Sequence, residues 1–306
     1  MPVNLNLDHI TESISLEECH QQLVDSKFDP NDEESFISVA PSLKKLNNNR
    51  TFLADILIQE LEDHCTNQEK SNTYTPQVIM LKPAEKDLNF FMRANIWLPK
   101  SDPLLQASGE KSFFYRVPHD HNFNFLTTGY MGSGYHSDYY EYDYEKVVGF
   151  PGEVANLRFV EHKQLSLGQT MLYRAYKDVH NQLPADDLSV TLNVMPATMF
   201  NHLRPQYIFN EQCNKVERTT VTTNSSVEPT LQLIAQCGGE KGRDFITRMA
   251  TNSVIDENRF SAIKTLTSVQ RSTDGKANVL EQYGLASSSE LVREMSKVHL
   301  HALSLG

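Results

Sequence analysis

His119, His121 and His180 are the residues of this 306-residue chain whose type and spacing could do chemistry. In the stretch Phe114 to Tyr130, FYRVPHDHNFNFLTTGY, the tripeptide His119-Asp120-His121 reads as part of a β-strand. Alternate strand residues face the same way, so two imidazoles would aim at one point. Imidazole is the commonest protein metal ligand, and two on one strand make half of a site. His180 follows a second strand-like run, LSLGQTMLYRAYKDVH, and is the third candidate ligand. The same period of two sets Phe123 and Phe125 beside the histidines, which describes a metal on the floor of an apolar pocket. Asp120, Asn122 and Asn124 fall on the opposite face, solvated or capped by loops. The competing reading, histidines that merely satisfy backbone groups at a strand end, fits a lone histidine better than a same-face pair with a downstream partner.

Other side chains could complete such a site. Arg93, in FFMRANIWL, can hold a carboxylate bidentately if it reaches into the pocket, or pair with a neighbouring acid. Arg116 lies three residues before His119, so strand parity sends it to the other face, where a surface ion pair is the simpler role. Tyr135, Tyr139, Tyr140, Tyr142 and Tyr144 follow a Gly-Ser-Gly turn. Alternation separates Tyr135 and Tyr139 from the other three, and a phenol of that pair near a metal would serve as hydrogen-bond donor or acid. Cross-strand aromatic packing is the alternative for most of the cluster. His136 and His162 are weaker ligand candidates. His64 beside Cys65 does not make a zinc pair, because adjacent helical residues face apart. His299 and His301 read as a solvated helix end.

The elements that would position these groups follow from hydrophobic period. From Leu16 to about Leu61 the pattern is helical, with Ser15 and Glu18 forming a capping box and Phe52, Ile56, Leu57 and Leu61 sharing a face. Thr66 to Thr75 reads as a polar connection. QVIMLKP, NFFMRANIWLP and SFFYRVP then read as short strands closed by Pro, and strand-like runs continue at Phe123–Thr128, Tyr135–Tyr142, Ala155–Glu161, Thr170–Tyr173 and Leu188–Val194. Seven or eight short strands at this spacing suggest a sandwich or jelly-roll barrel. After Asn224 the texture is helical again. The expectation is a mainly β chain divided as 1–70, an N-terminal helical segment packing on the barrel; 71–223, the β-barrel; and 224–306, a C-terminal helical extension.

Composition narrows the function classes. A net charge of -11 and no basic run argue against nucleic acid as a partner. Cys19, Cys65, Cys213 and Cys237 are scattered, which suits reduced thiols and a cytoplasmic protein. No apolar run approaches the roughly 20 residues of a membrane span, so no membrane association is expected.

The segment from Phe114 to Val194, about a quarter of the chain, resembles the two sequence motifs of the cupin superfamily. His119-x-His121 matches the start of the first motif. Gly132 stands where its glycine belongs if Phe125 occupies the position of the motif's glutamate. Gly168 and His180 match the ends of the second motif, whose proline and second glycine are missing, as is the leading glycine of the first. What the resemblance implies is a cupin-type jelly roll with a three-histidine site. It is similar to the iron(II) dioxygenases of the cysteine dioxygenase group and certain diketone-cleaving enzymes. It implies Fe(II) as cofactor, with O₂ and a small polar chelating molecule as substrates, and Arg93 in the role of a carboxylate clamp. Three neutral ligands leave the ion its full charge and open positions. Zinc, nickel or manganese on the same ligands would support an isomerase or hydrolase instead. A non-enzymatic binding or regulatory cupin is a third reading. The helical additions would shape the pocket or make a homodimer contact.

Overall fold

The computed structural model describes residues 1–72, 77–197, 204–219 and 226–305. The chain divides into two compact units, Met1–Tyr144 with Asn156–Asn201 and Ile208–Asn214, and Glu145–Ala155 with His202–Tyr207 and Lys215–Gly306.

The first unit opens with a short strand β1 (Val3–Leu5) and helices α1 (Leu16–Ser26), α2 (Glu33–Asn48) and α3 (Phe52–Glu62). Ser15 and Glu18 form the expected capping box, each side chain meeting the other's backbone N–H. Asp32 caps α2 by accepting from the Ser35 N–H. A fourth helix, α4 (Thr66–Ser71), occupies much of what reads in sequence as a polar connection. A further short helix, α5 (Pro103–Ser108), starts on Asp102 with Pro in its first turn.

The strands of the two larger sheets are, with β1, β2 (Val78–Lys82), β3 (Phe90–Trp97), β4 (Phe125–Met131), β5 (His136–Glu141), β6 (Arg158–Gln164), β7 (Thr170–Tyr173), β8 (Asp178–Leu183) and β9 (Ser189–Pro196). They form a six-stranded sheet in the order β1-β7-β4-β9-β3-β2 and a three-stranded sheet in the order β6-β5-β8, with antiparallel pairing throughout. Alternation decides what each face of the large sheet meets. Phe90, Met92, Ala94, Leu126, Leu172, Leu192 and Val194 pack with Phe36, Leu43 and Leu46 of α2 in one core cluster. The other face supplies Phe125, Met171, Tyr173, Trp97 and Met195 to a second cluster, which Tyr135, Tyr139 and Leu165 join. The site lies on this second face.

Two expectations are corrected. Helix accounts for 43% and strand for 23% of the described residues, so the chain is not mainly β, and these two sheets do not close into a barrel among them. The physical reason is local. SFFYRVP, a strand by composition, is a 3₁₀ turn at Glu110–Phe113 followed by left-handed residues at Phe114 (φ +60°) and Arg116 (φ +53°), a backbone no strand can carry. Residues 120–124 also run outside any strand, and β4 begins only at Phe125. The Gly-Ser-Gly turn, by contrast, follows from sterics. Gly134 has φ +87°, and a Cβ there would lie 1.8 Å from the Leu165 carbonyl oxygen.

The second unit holds α6 (Val227–Cys237), α7 (Gly239–Asn252), α8 (Asp256–Ser268), α9 (Thr273–Val279), a π-helical turn at Leu280–Leu285 and α10 (Glu290–Leu305). Leu231, Ile246, Phe260, Ile263, Leu280 and Val292 form its own core. Among the described residues no helix is long and apolar enough to cross a membrane.

Candidate metal centre

His119, His121 and His180 converge. One ring nitrogen from each lies within 4.8 Å of the others, and this is the only such cluster of His, Cys, Asp or Glu among the described residues. His180 sits in the middle of β8, where it pairs with Tyr139 of β5 on one side. On its other side it forms an antiparallel bridge with His119. The two histidines of His119-Asp120-His121 therefore reach the site from a short extended segment stitched to β8, and not from a continuous strand. The alternation expected for them still holds locally.

The Nε2 atom of His180 is 3.0 Å from Nε2 of His119 and 3.1 Å from Nε2 of His121. For a metal–nitrogen bond of about 2.1 Å, ligands at right angles stand about 3.0 Å apart and tetrahedral ligands about 3.4 Å. Both spacings about His180 match adjacent ligands at right angles on one ion. His119 donates from Nδ1 to the Val117 carbonyl oxygen at 2.7 Å, so its Nε2 carries the lone pair. Nδ1 of His121 and Nδ1 of His180 meet no protein partner.

All three imidazoles are held neutral. Burial lowers the His119 pKa to about 4, against an opposing contribution from the Val117 hydrogen bond. Burial also pushes His121 well below the ordinary range, helped by His119 and by the positive charge of Arg93. His180 falls well below it through burial and the two neighbouring histidines. Three neutral imidazoles whose ring nitrogens gather on one point are the donor set a divalent ion requires, and the residues fit a metal.

The surroundings are aromatic. Phe123 and Phe125 lie 5.1 and 4.8 Å from the His121 ring, as the alternation predicts. Phe125 stacks on Tyr173 at 4.5 Å and 11°. Tyr173 is the phenol that borders the histidines, 4.9 Å from His180 and 6.2 Å from His121 between ring centroids. Tyr135 and Tyr139 point inward together, and their hydroxyls meet the Tyr173 hydroxyl at 3.2 and 2.9 Å. Sequence reasoning did not single out Tyr173, although the alternation of Met171 and Tyr173 in β7 marks it as inward-facing. Burial raises all three phenols, Tyr135 to about 12.

Arg93 lies on β3 with its charge acting on His121, and the register places it in a row with Asn193 of β9 and Thr127 of β4. These polar residues share the face that carries the site, and Asn193 donates to Asn95 at 3.3 Å. This polar row was legible only once the strand order was known.

The remaining candidates lie elsewhere. Arg116 makes an exposed ion pair with Glu110 at 2.6 Å. Tyr140 packs across the strand on Phe159, and Tyr144 on Tyr176. Tyr142 donates to Oδ2 of Asp120 at 2.5 Å, one partner of an aspartate with no exposed surface between two candidate ligands. His136 and His162 stack at 5.5 Å and pair with Asp186 and Asp138. His299 donates from Nδ1 to the Met295 carbonyl oxygen of its own helix at 3.0 Å.

No protein-family model matches the chain, and no curated protein matches it. Among solved structures, one from a study of prolyl 4-hydroxylases of Phytophthora capsici is similar at a TM-score of 0.24 and 9% identity, over 95% of this chain and 83% of that one. A likeness this slight carries no argument, and the site is read from its own geometry.

Proposed function

We propose that this protein is a mononuclear metal-dependent oxygenase that binds Fe(II) through His119, His121 and His180 and oxidises a small polar chelating substrate with O₂. The observation that supports the reading most is the convergence of ring nitrogens from three buried, neutral imidazoles without a carboxylate in the set. When bound, the metal would supply the site at which O₂ and substrate meet and exchange electrons.

The protein's own contribution is orientation and exclusion of water. Arg93 offers a fixed positive charge to an anionic end of the substrate, with Asn193 and Thr127 in the same row to accept or donate hydrogen bonds. Phe123 and Phe125 wall the histidines with apolar surface. Tyr135 and Tyr139 hold protons at neutral pH and anchor Tyr173 against His180.

The test is metal analysis of protein purified without added metal, followed by oxygen uptake by the iron-loaded chain with candidate chelating acids. Stoichiometric iron and substrate-dependent uptake support the reading. Retention of zinc, nickel or manganese with no uptake would favour Lewis-acid isomerisation or hydrolysis on the same ligands. A chain that binds a small molecule but no metal would be a binding protein.

A further inference from the structure

We propose that the buried phenols of Tyr173, Tyr139 and Tyr135 act as an electron reserve for the histidine-held metal, reducing an oxygen-derived oxidant that forms there when no substrate is present. The inference rests on the metal reading above. It starts from how tyrosine hydroxyls in this protein are satisfied. Tyr115 and Tyr130 are buried tyrosines with a structural solution, each donating to a backbone carbonyl, of Leu98 and Asn49 respectively, at 3.0 Å. The three inner phenols are arranged differently. Their hydroxyls are gathered on one another, with Tyr173 in the centre at 2.9 Å from Tyr139 and 3.2 Å from Tyr135.

That arrangement suits oxidation. A phenol gives up an electron readily only when its proton can leave at the same moment, and each hydroxyl here faces another phenol oxygen along which a proton can shift. The cluster is also in contact with the metal ligands, since the Tyr173 ring lies 4.9 Å from that of His180. It continues away from them through Tyr135, whose ring is 4.3 Å from Trp97, and Trp97 is 5.9 Å from Tyr115. An electron can therefore be drawn from a ring near the metal and the deficit moved to rings further off, sparing the histidines. With hydrogen peroxide as the oxidant the step balances. Two phenols each lose one electron and the hydroxyl proton, and one peroxide gains two electrons and two protons and leaves as two waters. Two phenoxyl radicals remain, and the metal ends in the oxidation state in which it began.

The experiment loads the full chain anaerobically with Fe(II), measures bound iron, mixes it with hydrogen peroxide without organic substrate, and records the electron paramagnetic resonance of the freeze-quenched sample. A parallel preparation carries ring-deuterated tyrosine. The expected result is an organic radical whose signal narrows on deuteration and is lost in Tyr173→Phe, a change that keeps the ring stacked on Phe125. Bound iron without a tyrosyl signal, or an undiminished signal in Tyr173→Phe, overturns the inference and leaves the metal reading standing. If Tyr173→Phe does not fold, Tyr139→Phe removes the nearer hydroxyl partner, and an unchanged radical yield there is equally fatal. A preparation that binds no iron overturns both readings.

Discussion

The backbones of His119 and His180 exchange both of their hydrogen bonds, the His119 N–H reaching the His180 carbonyl at 3.1 Å and the His180 N–H reaching the His119 carbonyl at 3.0 Å. Residues opposed in this way carry their side chains on the same side of the pair. Convergence of the ligands is thus built into the main chain and does not depend on any one imidazole. His180→Ala should abolish metal retention while leaving the fold intact, read as loss of bound metal by elemental analysis with an unchanged far-ultraviolet dichroism spectrum. The same is expected of His119→Ala and His121→Ala. Full metal occupancy in His180→Ala would remove it from the site.

Acid should weaken the metal-free protein in a defined window. The His119 pKa is lowered to about 4 from an ordinary 6.5 by burial. The unfolded chain therefore takes up the proton first as the pH falls. Stability attributable to this group is complete above pH 6.5 and is lost progressively towards pH 4, in total by about 3 kcal/mol for His119 alone. Urea midpoints measured at pH 7 and about pH 5 at equal ionic strength check this. Equal midpoints contradict it.

The same neutrality predicts an unusual pH dependence of metal affinity. Exposed histidine sites lose metal as protons compete near the ordinary imidazole range. Here no proton needs to be displaced into solvent until well below it, so affinity should be flat from about pH 8 to pH 6.5. Titration calorimetry in two buffers of different ionisation heat would reveal any proton release that contradicts the expectation.

Arg93→Ala should chiefly raise KM for an anionic substrate with a smaller effect on kcat, because the lost contact is made equally in ground and transition states. It should also raise the pKa of His121, since the Arg93 charge disfavours imidazolium there. Unchanged kinetics and an unmoved His121 resonance would place the guanidinium outside the pocket.

Tyr142→Phe withdraws a donor from Asp120, a carboxylate with no exposed surface. A loss of about 1–3 kcal/mol in unfolding free energy is expected, measured by denaturant unfolding of the metal-free chain. An effect within error would mean that solvent replaces the phenol.

Much of this site was legible without coordinates. The period of two placed His119, His121, Phe123 and Phe125 together and separated Tyr135 and Tyr139 from Tyr140 and Tyr142, because side-chain alternation survives even where regular pairing does not. The boundaries were less legible. Aromatic residues at Phe113, Phe114 and Tyr115 have strand composition, but left-handed φ values at Phe114 and Arg116 turn the chain, and composition does not encode that turn. His180 was read as the end of a run and lies mid-strand in β8, because Tyr173 and Asp178 belong to different sheets joined by a turn at residues 174–177. The Arg93, Asn193 and Thr127 row needed the order of strands distant in sequence, which local pattern does not contain.

The Val117 carbonyl settles the tautomer of His119 before any ion arrives, whereas nothing in the protein does so for His121 or His180. The tripod thus has one rigid leg and two that choose their protonation edge on contact. An arriving ion therefore selects the tautomer at His121 and His180 and finds it already chosen at His119.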